Sequence, residues 1–466
     1  MGNAQKKSLG LLDATLLVAG SMIGSGIFIV SSIMMNDIGS PAWMLVLWVL
    51  TGVITIMAAL SYGELAGMMP NAGGQYVYIQ RAFGRLPSFL YGWTVFTVIQ
   101  TGVIAAVAVA FAKYTAVFIP SLNFTLLELG SLKITLAQGV AIGSVILLTY
   151  SNSKGLQNGK VIQFIFTAAK LFALFALIIL GIYLGSKTNV FKLNMADAWN
   201  AFSTTVDKKG VVTQTPLFGW ALVGALGATI INSLFSADAW NNVTFIAGEI
   251  RDPKKNIPRS LLLGTLIVTV IYVLANIAYL MLLSNSAIMQ APSNRVGAAA
   301  AEVIFGAPGA LIMAGLIMIS TFGCNNGLIL AGSRLYHAMA NDGLFIKKAG
   351  QLNQQGIPSV ALWIQCLWAS ILCLSGKYED LLTYSTFASL LFYILTISGV
   401  FVLRKKEPNT PRPYLAFGYP VLPALYILIT SSICIILMIY SPLNTLLGLL
   451  IVALGIPIYF LSNKKQ

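Results

Sequence analysis

Two short polar stretches interrupt long apolar runs of this 466-residue chain, and both carry groups that could bind a charged ligand. The first, Gly20-Ser-Met-Ile-Gly-Ser-Gly26, holds three glycines and two serines in seven residues. The second is Phe235-Ser-Ala-Asp-Ala-Trp-Asn-Asn242. Gly20 and Gly24 alone, four residues apart, would also suit a close-packed helix seam. The whole glycine and serine cluster favours local unwinding of a helix instead.

Unwinding a helix inside a membrane leaves backbone groups that need partners, because no water is present there. The N–H groups from Ser25 to Ile27 would begin a second half-helix, and the positive end of a helix suits a carboxylate. Carbonyl groups that end the first half-helices, such as those of Met22 and Ser236, suit an ammonium group. This arrangement predicts a site for the zwitterionic head of an α-amino acid. The predicted substrate-binding residues are Met22, Ile23, Gly24, Ser25, Gly26, Ile27, Phe235, Ser236 and Asp238.

Ionisable and aromatic residues near these stretches leave several alternatives open. Asp238, the only acid predicted near mid-membrane, could pair with an ammonium or a lysine, carry a proton, or cap the second half-helix of its span. Lys154 could be an interfacial lysine whose stem lies along the membrane. Lys170, sixteen residues on, lies deeper and has no evident partner in the sequence. Phe235 and Trp240 are either core aromatics or a lid over a small ligand.

The composition excludes a soluble protein, since 57% of the residues are hydrophobic and only 9% are charged. The net charge of +14 comes from basic residues in loops between apolar runs, so nucleic acid is not an expected partner. The four cysteines lie within apolar runs, and the single histidine, His337, has no companion at a ligand spacing. No nucleotide-binding loop is present. The sequence therefore predicts no enzyme, no metal and no cofactor.

Apolar runs predict twelve membrane spans. They cover residues 10–36, 41–68, 84–119, 133–151, 155–185, 217–247, 258–284, 307–338, 357–376, 379–403, 417–440 and 443–462. With the N-terminus inside, nineteen of the 28 Lys and Arg residues lie on the inner side and eight on the outer side. The positive-inside rule then places both termini in the cytoplasm.

Spans 1 and 6 are the interrupted ones, and they lie five helices apart. An odd offset gives the second set of five helices inverted topology, and paired broken helices are typical of transporter binding sites. The predicted fold is an all-α polytopic membrane protein with a five-plus-five inverted repeat. Residues 1–466 form one transmembrane domain, with repeats over 10–185 and 217–403 and two further spans over 417–462.

Five motifs, in order along nearly the whole chain, resemble the L-type amino acid transporter branch of the amino acid–polyamine–organocation superfamily. They are Ile23-Gly-Ser-Gly-Ile-Phe28; Phe235-Ser-Ala-Asp-Ala-Trp-Asn241; Glu249 with Asp252-Pro253 and Ile257-Pro-Arg259; Gly323, Asn326-Gly327, Ser333-Arg334 and Ala340-Asn-Asp-Gly343; and Leu403-Arg404, Pro408 and Arg412-Pro413-Tyr414.

This resemblance implies a leucine-transporter-type fold in which spans 1, 2, 6 and 7 rock against spans 3, 4, 8 and 9. It also implies sodium-independent amino acid exchange. Family members carry a span-5 lysine between spans 1 and 8, and the resemblance assigns this coupling role to Lys154. A fixed cation there would order span 1 without sodium.

Departures from the family pattern narrow the expectation. The segment from Pro120 to Lys133 has no cysteine, so a disulfide-linked heavy subunit is not supported. Ala237 and Ala239 stand where many relatives have tyrosine and glycine. The chain resembles bacterial alanine–serine–cysteine exchangers, and this resemblance implies an exchanger of small neutral L-amino acids such as alanine, serine and cysteine. We expect a monomer in the plasma membrane. A proton-coupled symporter and an exchanger of cationic amino acids, the latter because of Asp238, are the alternatives.

Overall fold

Ten helical segments in the described part of the chain are long and apolar enough to cross a membrane. The computed structural model describes residues 9–70, 73–129, 132–206, 212–375 and 378–463. The two chain ends, residues 1–8 and 464–466, lie outside these ranges. The side of the membrane that they occupy therefore stays a prediction.

The described chain is mostly helical, with two short hairpins. The helices are α1 (Leu11–Met22), α2 (Gly26–Ile38), α3 (Pro41–Met68), α4 (Gln75–Phe83), α5 (Arg85–Thr94), α6 (Gln100–Phe118), α7 (Leu136–Ser153), α8 (Leu156–Gly185), α9 (Val190–Asn194), α10 (Gly219–Ser236), α11 (Pro253–Leu282), α12 (Asn285–Met289), α13 (Val296–Phe305), α14 (Ala307–Asn341), α15 (Ser359–Ser375), α16 (Tyr378–Lys406), α17 (Val421–Tyr440) and α18 (Pro442–Asn463). The antiparallel hairpins pair β1 (Thr125–Leu129) with β2 (Leu132–Thr135) and β3 (Phe202–Val206) with β4 (Val212–Pro216).

The predicted spans agree with these helices except in two respects. Predicted spans 133–151 and 357–376 coincide with α7 and α15, which are helical but fall short of the length or apolarity of the other ten. The prediction of a second half-helix in span 6 is wrong. α10 ends at Ser236, and two short 3-10 turns follow it, Trp240–Thr244 and Ala247–Glu249.

The interrupted first span lies at the centre of the molecule. In the most apolar stretch of α1 and α2, 83% of the residues are buried, whereas in α18 only 17% are. Small residues permit this close packing, because lipid provides no hydrophobic drive between helices. A Cβ on Gly264 of α11 would come within 2.5 Å of the Val18 side chain in α1. A Cβ on Gly323 of α14 would meet Phe166 of α8 at 2.4 Å.

A buried carboxylate ties the end of α3 to the end of α16. Glu64 is only 1% exposed, and Arg404 donates to both of its oxygens, at 2.6 and 2.9 Å. Arg412 donates to the same carboxylate at 3.1 Å, and the Ala416 N–H donates at 2.7 Å. Two guanidinium groups and one amide therefore satisfy the charge, as a buried ion requires.

We expect Glu64→Gln to destabilise the protein by up to about 3 kcal/mol, the lower end of the range for a broken buried pair, because Arg404 keeps a quarter of its side chain exposed. Glu407→Gln is the matched control, since Glu407 pairs with Arg81 at 2.6 Å on the surface. Arg81 lowers the pKa of Glu407, so this pair stabilises the fold at neutral pH and ceases to do so as pH falls through that lowered pKa. We expect the control to change stability by about 1 kcal/mol or less. Equal losses in denaturant unfolding of the two detergent-solubilised variants would contradict this assignment.

Candidate functional site

The first helix break lies between Met22, the last residue of α1, and Gly26, the first of α2. It falls inside the predicted glycine and serine stretch, so the interruption of span 1 is confirmed. Carbonyl groups at the end of a helix have no partner further along it. In the apolar interior each of them needs another donor, and three neighbouring helices provide these donors.

The ammonium of Lys170, from α8, donates to two of these carbonyls. Its Nζ contacts the oxygen of Gly20 and lies 2.6 Å from the oxygen of Ile23. Lys170 has no exposed surface. The hydroxyl of Ser320, from α14, lies 3.5 Å from the Ile23 oxygen. A single fixed cation thus occupies the negative end of the α1 dipole.

Two further donors complete the end of α1. The thiol of Cys324, from α14, donates to the carbonyl of Ser21 at 3.2 Å. The phenol of Tyr272, from α11, lies 3.0 Å from the oxygen of Met22. All four carbonyls from residue 20 to residue 23 therefore accept a hydrogen bond from a side chain of another helix.

The expected position of Lys154 is wrong. α7 ends at Ser153 and α8 begins at Leu156, so Lys154 lies in the connection between them, exposed, with its Nζ 5.1 Å from the centre of the Tyr150 ring. The place assigned to it, between the first span and α14, is occupied by Lys170. The signal was available in the sequence, because a lysine deep in an apolar run is functional by default.

The second helix break lies between Ser236, where α10 ends, and the 3-10 turn that begins at Trp240. The Asp238 N–H donates back to the Phe235 carbonyl at 3.1 Å. Ala239 has φ +64° and ψ 8°, a left-handed conformation that costs a residue with a Cβ about 1–2 kcal/mol. The chain thus leaves the helix through a strained residue, a feature typical of functional sites.

The two breaks are in direct contact. A Cβ on Gly26 would lie 2.7 Å from the Cβ and 3.0 Å from the Cα of Ser236. The Tyr272 hydroxyl lies 3.0 Å from the carbonyl oxygens of both Met22 and Ser236, so one phenol bridges the ends of α1 and α10. The structure therefore brings the predicted residues from 22 to 27 together with Phe235 and Ser236. No feature of the sequence distinguished Tyr272 from an ordinary core aromatic.

The Asp238 side chain lies on the other side of the α10 break and contacts α16. Its Oδ1 accepts from the Tyr393 hydroxyl at 2.6 Å, and its Oδ2 accepts from the Ser389 hydroxyl at 3.5 Å. The carboxylate also accepts from the Ala239 N–H, whereas capping had been expected to involve amides near Asn241. In the described residues Asp238 makes no salt bridge with a lysine.

A buried chain of polar side chains continues from Asp238 toward the predicted cytoplasmic side. The Tyr393 hydroxyl also lies 3.3 Å from Asn241 Oδ1, and Asn241 Nδ2 donates to Gln75 Oε1 at 3.0 Å. Gln75, the first residue of α4, donates in turn to the Thr396 hydroxyl at 2.9 Å. These contacts connect the α10 break to the first residue of α4 and to α16.

The aromatic residues at the second break pack as part of the core. Phe235 and Trp240 are both buried, and the Trp240 ring lies 4.9 Å from that of Tyr62 and 5.3 Å from that of Tyr393. A lid function for them stays a prediction. Across the described ranges, no three His, Cys, Asp or Glu side chains gather where a metal ion could bind.

Comparison with known proteins identifies the family. The amino acid permease family model matches residues 9–461. The large neutral amino acids transporter small subunit 2 of Rattus norvegicus is 32% identical over all of this chain and 82% of its own length. The Asc-type amino acid transporter 1 of Mus musculus is 29% identical over 98% of this chain and 82% of its own length. The serine/threonine exchanger SteT of Bacillus subtilis is 29% identical over all of this chain and 98% of its own length.

These similarities cover nearly the whole chain, and both helix breaks and Lys170 lie within the matched residues. The protein is a multi-pass membrane transporter and not an enzyme, and it belongs to the amino acid permease family.

Proposed function

We propose that the protein is a sodium-independent exchanger of small neutral L-amino acids. The observation that carries this proposal is the contact of the two helix breaks beside a buried lysine. The first-turn amides of α2, at Gly26 and Ile27, would bind the substrate carboxylate. The carbonyls of Met22 and Ser236 would accept from its ammonium, because a carbonyl has two lone pairs and each can accept a second donor beside Tyr272.

The substrate class is inferred from the relatives and from the space near the site. The relatives are named for large neutral amino acids, for the Asc type and for serine and threonine. The two cavities beside Asp238 are about 20 Å³ each, which is room for about one water molecule. A short side chain requires the least widening of this space, and a long cationic one requires the most.

The proposed architecture is the five-plus-five inverted repeat with twelve spans, α7 and α15 completing the ten long segments. Both termini would lie in the cytoplasm, as the distribution of basic residues favours. The protein would lie in the plasma membrane. The protein would act as a monomer. A disulfide-linked subunit is not part of the proposal, because all four cysteines are buried.

Coupling would depend on Lys170. Its ammonium binds the carbonyls of Gly20 and Ile23, where a bound metal cation would otherwise be needed to satisfy them. Because the lysine is covalently attached, its charge is present in every cycle without sodium. When spans 1, 2, 6 and 7 rock, the end of α1 would move relative to α8 and α14, and Lys170 would bias that equilibrium.

Transport assays in proteoliposomes test the proposal as a whole. We expect labelled alanine to enter vesicles loaded with alanine or serine and not empty ones, at the same rate in sodium and in choline. An exchanger needs substrate on the far side, and Lys170 makes sodium unnecessary. Uptake into empty vesicles driven by a pH gradient would show a proton-coupled symporter instead. A requirement for sodium would contradict the role of the lysine.

We expect Lys170→Ala to slow exchange by about 5- to 150-fold, the range of a typical coupling free energy of 1–3 kcal/mol. Lys154→Ala is the matched control and should exchange at the wild-type rate, because its side chain is exposed in a connection between helices. Lys170→Arg should rescue only in part, since a planar guanidinium does not replace a compact ammonium between two carbonyls. Equal rates for Lys170→Ala and the wild type, at equal amounts of folded protein, would remove Lys170 from the mechanism.

We expect Gly26→Val to abolish exchange, since any Cβ at this position meets Ser236 and separates the two breaks. Gly139→Val is the control, because a Cβ on this α7 glycine has no neighbour within 4 Å. Amino alcohols, which lack the carboxylate, should not compete with labelled alanine. Strong competition by them, or normal exchange by Gly26→Val, would contradict a carboxylate site at the start of α2.

A further inference from the structure

Asp238 has unused capacity to accept a hydrogen bond. Three donors reach its carboxylate, namely the Tyr393 hydroxyl, the Ser389 hydroxyl and the Ala239 N–H. An ionised carboxylate has about four acceptor positions, so one more donor can bind. Asp238 is only partly buried, whereas Ser389 and Tyr393 are buried.

Two cavities of about 20 Å³ share this carboxylate as part of their walls, together with Ser389 and Tyr393. One extends between Val103 of α6 and Leu328 of α14, and the other extends toward α17. The space beside Asp238 is therefore small, and the polar groups that the two cavities share are this carboxylate and two hydroxyl groups that already donate to it.

The carboxylate also lies close to the place where a substrate head would bind. Ser236, which contacts Gly26 across the two breaks, is two residues before Asp238, so their Cα atoms are at most about 7 Å apart. A substrate side chain directed toward α16 would approach Asp238, whose carboxylate contacts Ser389 and Tyr393 of that helix.

We propose that Asp238 is a specificity-determining residue that accepts a hydrogen bond from the side-chain hydroxyl of the substrate. The protein then favours β-hydroxy amino acids, serine and threonine, over apolar amino acids of equal size. One acceptor position matches one hydroxyl proton, whereas a side-chain ammonium brings three donors on a longer stem. This inference rests on the proposed function, because it assumes that small neutral amino acids bind between the breaks.

The test compares serine with 2-aminobutyrate, which has a methyl group in place of the hydroxyl. Both compete against labelled alanine for exchange in proteoliposomes. The wild type should prefer serine over 2-aminobutyrate about tenfold, the lower end of the range for a hydrogen bond to a charged acceptor. The lower end applies because a water molecule can donate to Asp238 when 2-aminobutyrate is bound. Asp238→Ala should reduce this preference to twofold or less. Thr386→Val is the matched control, because the Thr386 hydroxyl lines the neighbouring cavity but donates to the Leu382 carbonyl. It should keep the wild-type preference.

Asp238→Asn keeps the size of the side chain and serves if the alanine variant does not fold, and it too should lose most of the preference for serine. A wild type that does not distinguish the two competitors overturns the inference while leaving the proposed function intact. The inference is also overturned if a folded Asp238 variant binds alanine, serine and 2-aminobutyrate more weakly by the same factor. Asp238 would then contact the amino and carboxylate groups that all three share. A wild type that exchanges none of the three overturns the proposed function itself.

Discussion

The carbonyl groups at the end of α1 impose the constraint on which the rest of the site depends. They lie in the apolar interior without helical partners, and an unsatisfied group there costs several kilocalories per mole. Lys170 satisfies two of them with one charge that has no exposed surface. The buried ammonium in turn requires these carbonyls as hydrogen-bond acceptors, because it has lost its water. The two therefore stabilise each other, and α8 fixes where α1 can end.

The same constraint explains why three helices converge on one short segment. Cys324 of α14 and Tyr272 of α11 satisfy the remaining carbonyls, and Tyr272 extends this contact to the end of α10. A substrate ammonium bound at Met22 and Ser236 would share acceptors with the Tyr272 hydroxyl. Substrate binding and the relative position of the two broken helices are therefore linked through a single phenol.

Much of this arrangement could be predicted from the sequence, because it follows from local residue types. The glycines from Gly20 to Gly26 weaken a helix wherever it lies, so the break in α1 was predictable. The second break was also predictable, but not the 3-10 turns after it, because their form depends on packing around Ala239 and Trp240.

The wrong assignment of Lys154 and the missed tyrosines have a different cause. The coupling role was assigned to Lys154 from the resemblance to the family, although the depth of Lys170 within its apolar run marked Lys170 as the buried lysine. The predicted spans already placed Lys154 between two helices, and only the packed structure shows that Lys170 contacts the carbonyls of Gly20 and Ile23. Tyr272 and Tyr393 were missed because a tyrosine in an apolar run is usually a core residue. Their role depends on hydroxyl partners from helices distant in sequence.

The most direct test measures the position of α1 when the lysine is removed. Spin labels at Leu12, which is 69% exposed in α1, and at Lys347, exposed beyond the end of α14, would report this distance by pulsed electron paramagnetic resonance. Cys324 is replaced by serine, which keeps a donor for the Ser21 carbonyl, the other three buried cysteines are replaced by alanine, and the protein is measured without substrate. We predict that Lys170→Ala shifts or broadens the distance distribution. Lys154→Ala should give the same distribution as the labelled protein that keeps both lysines. An unchanged distribution in Lys170→Ala would contradict the claim that the Lys170 ammonium holds the end of α1.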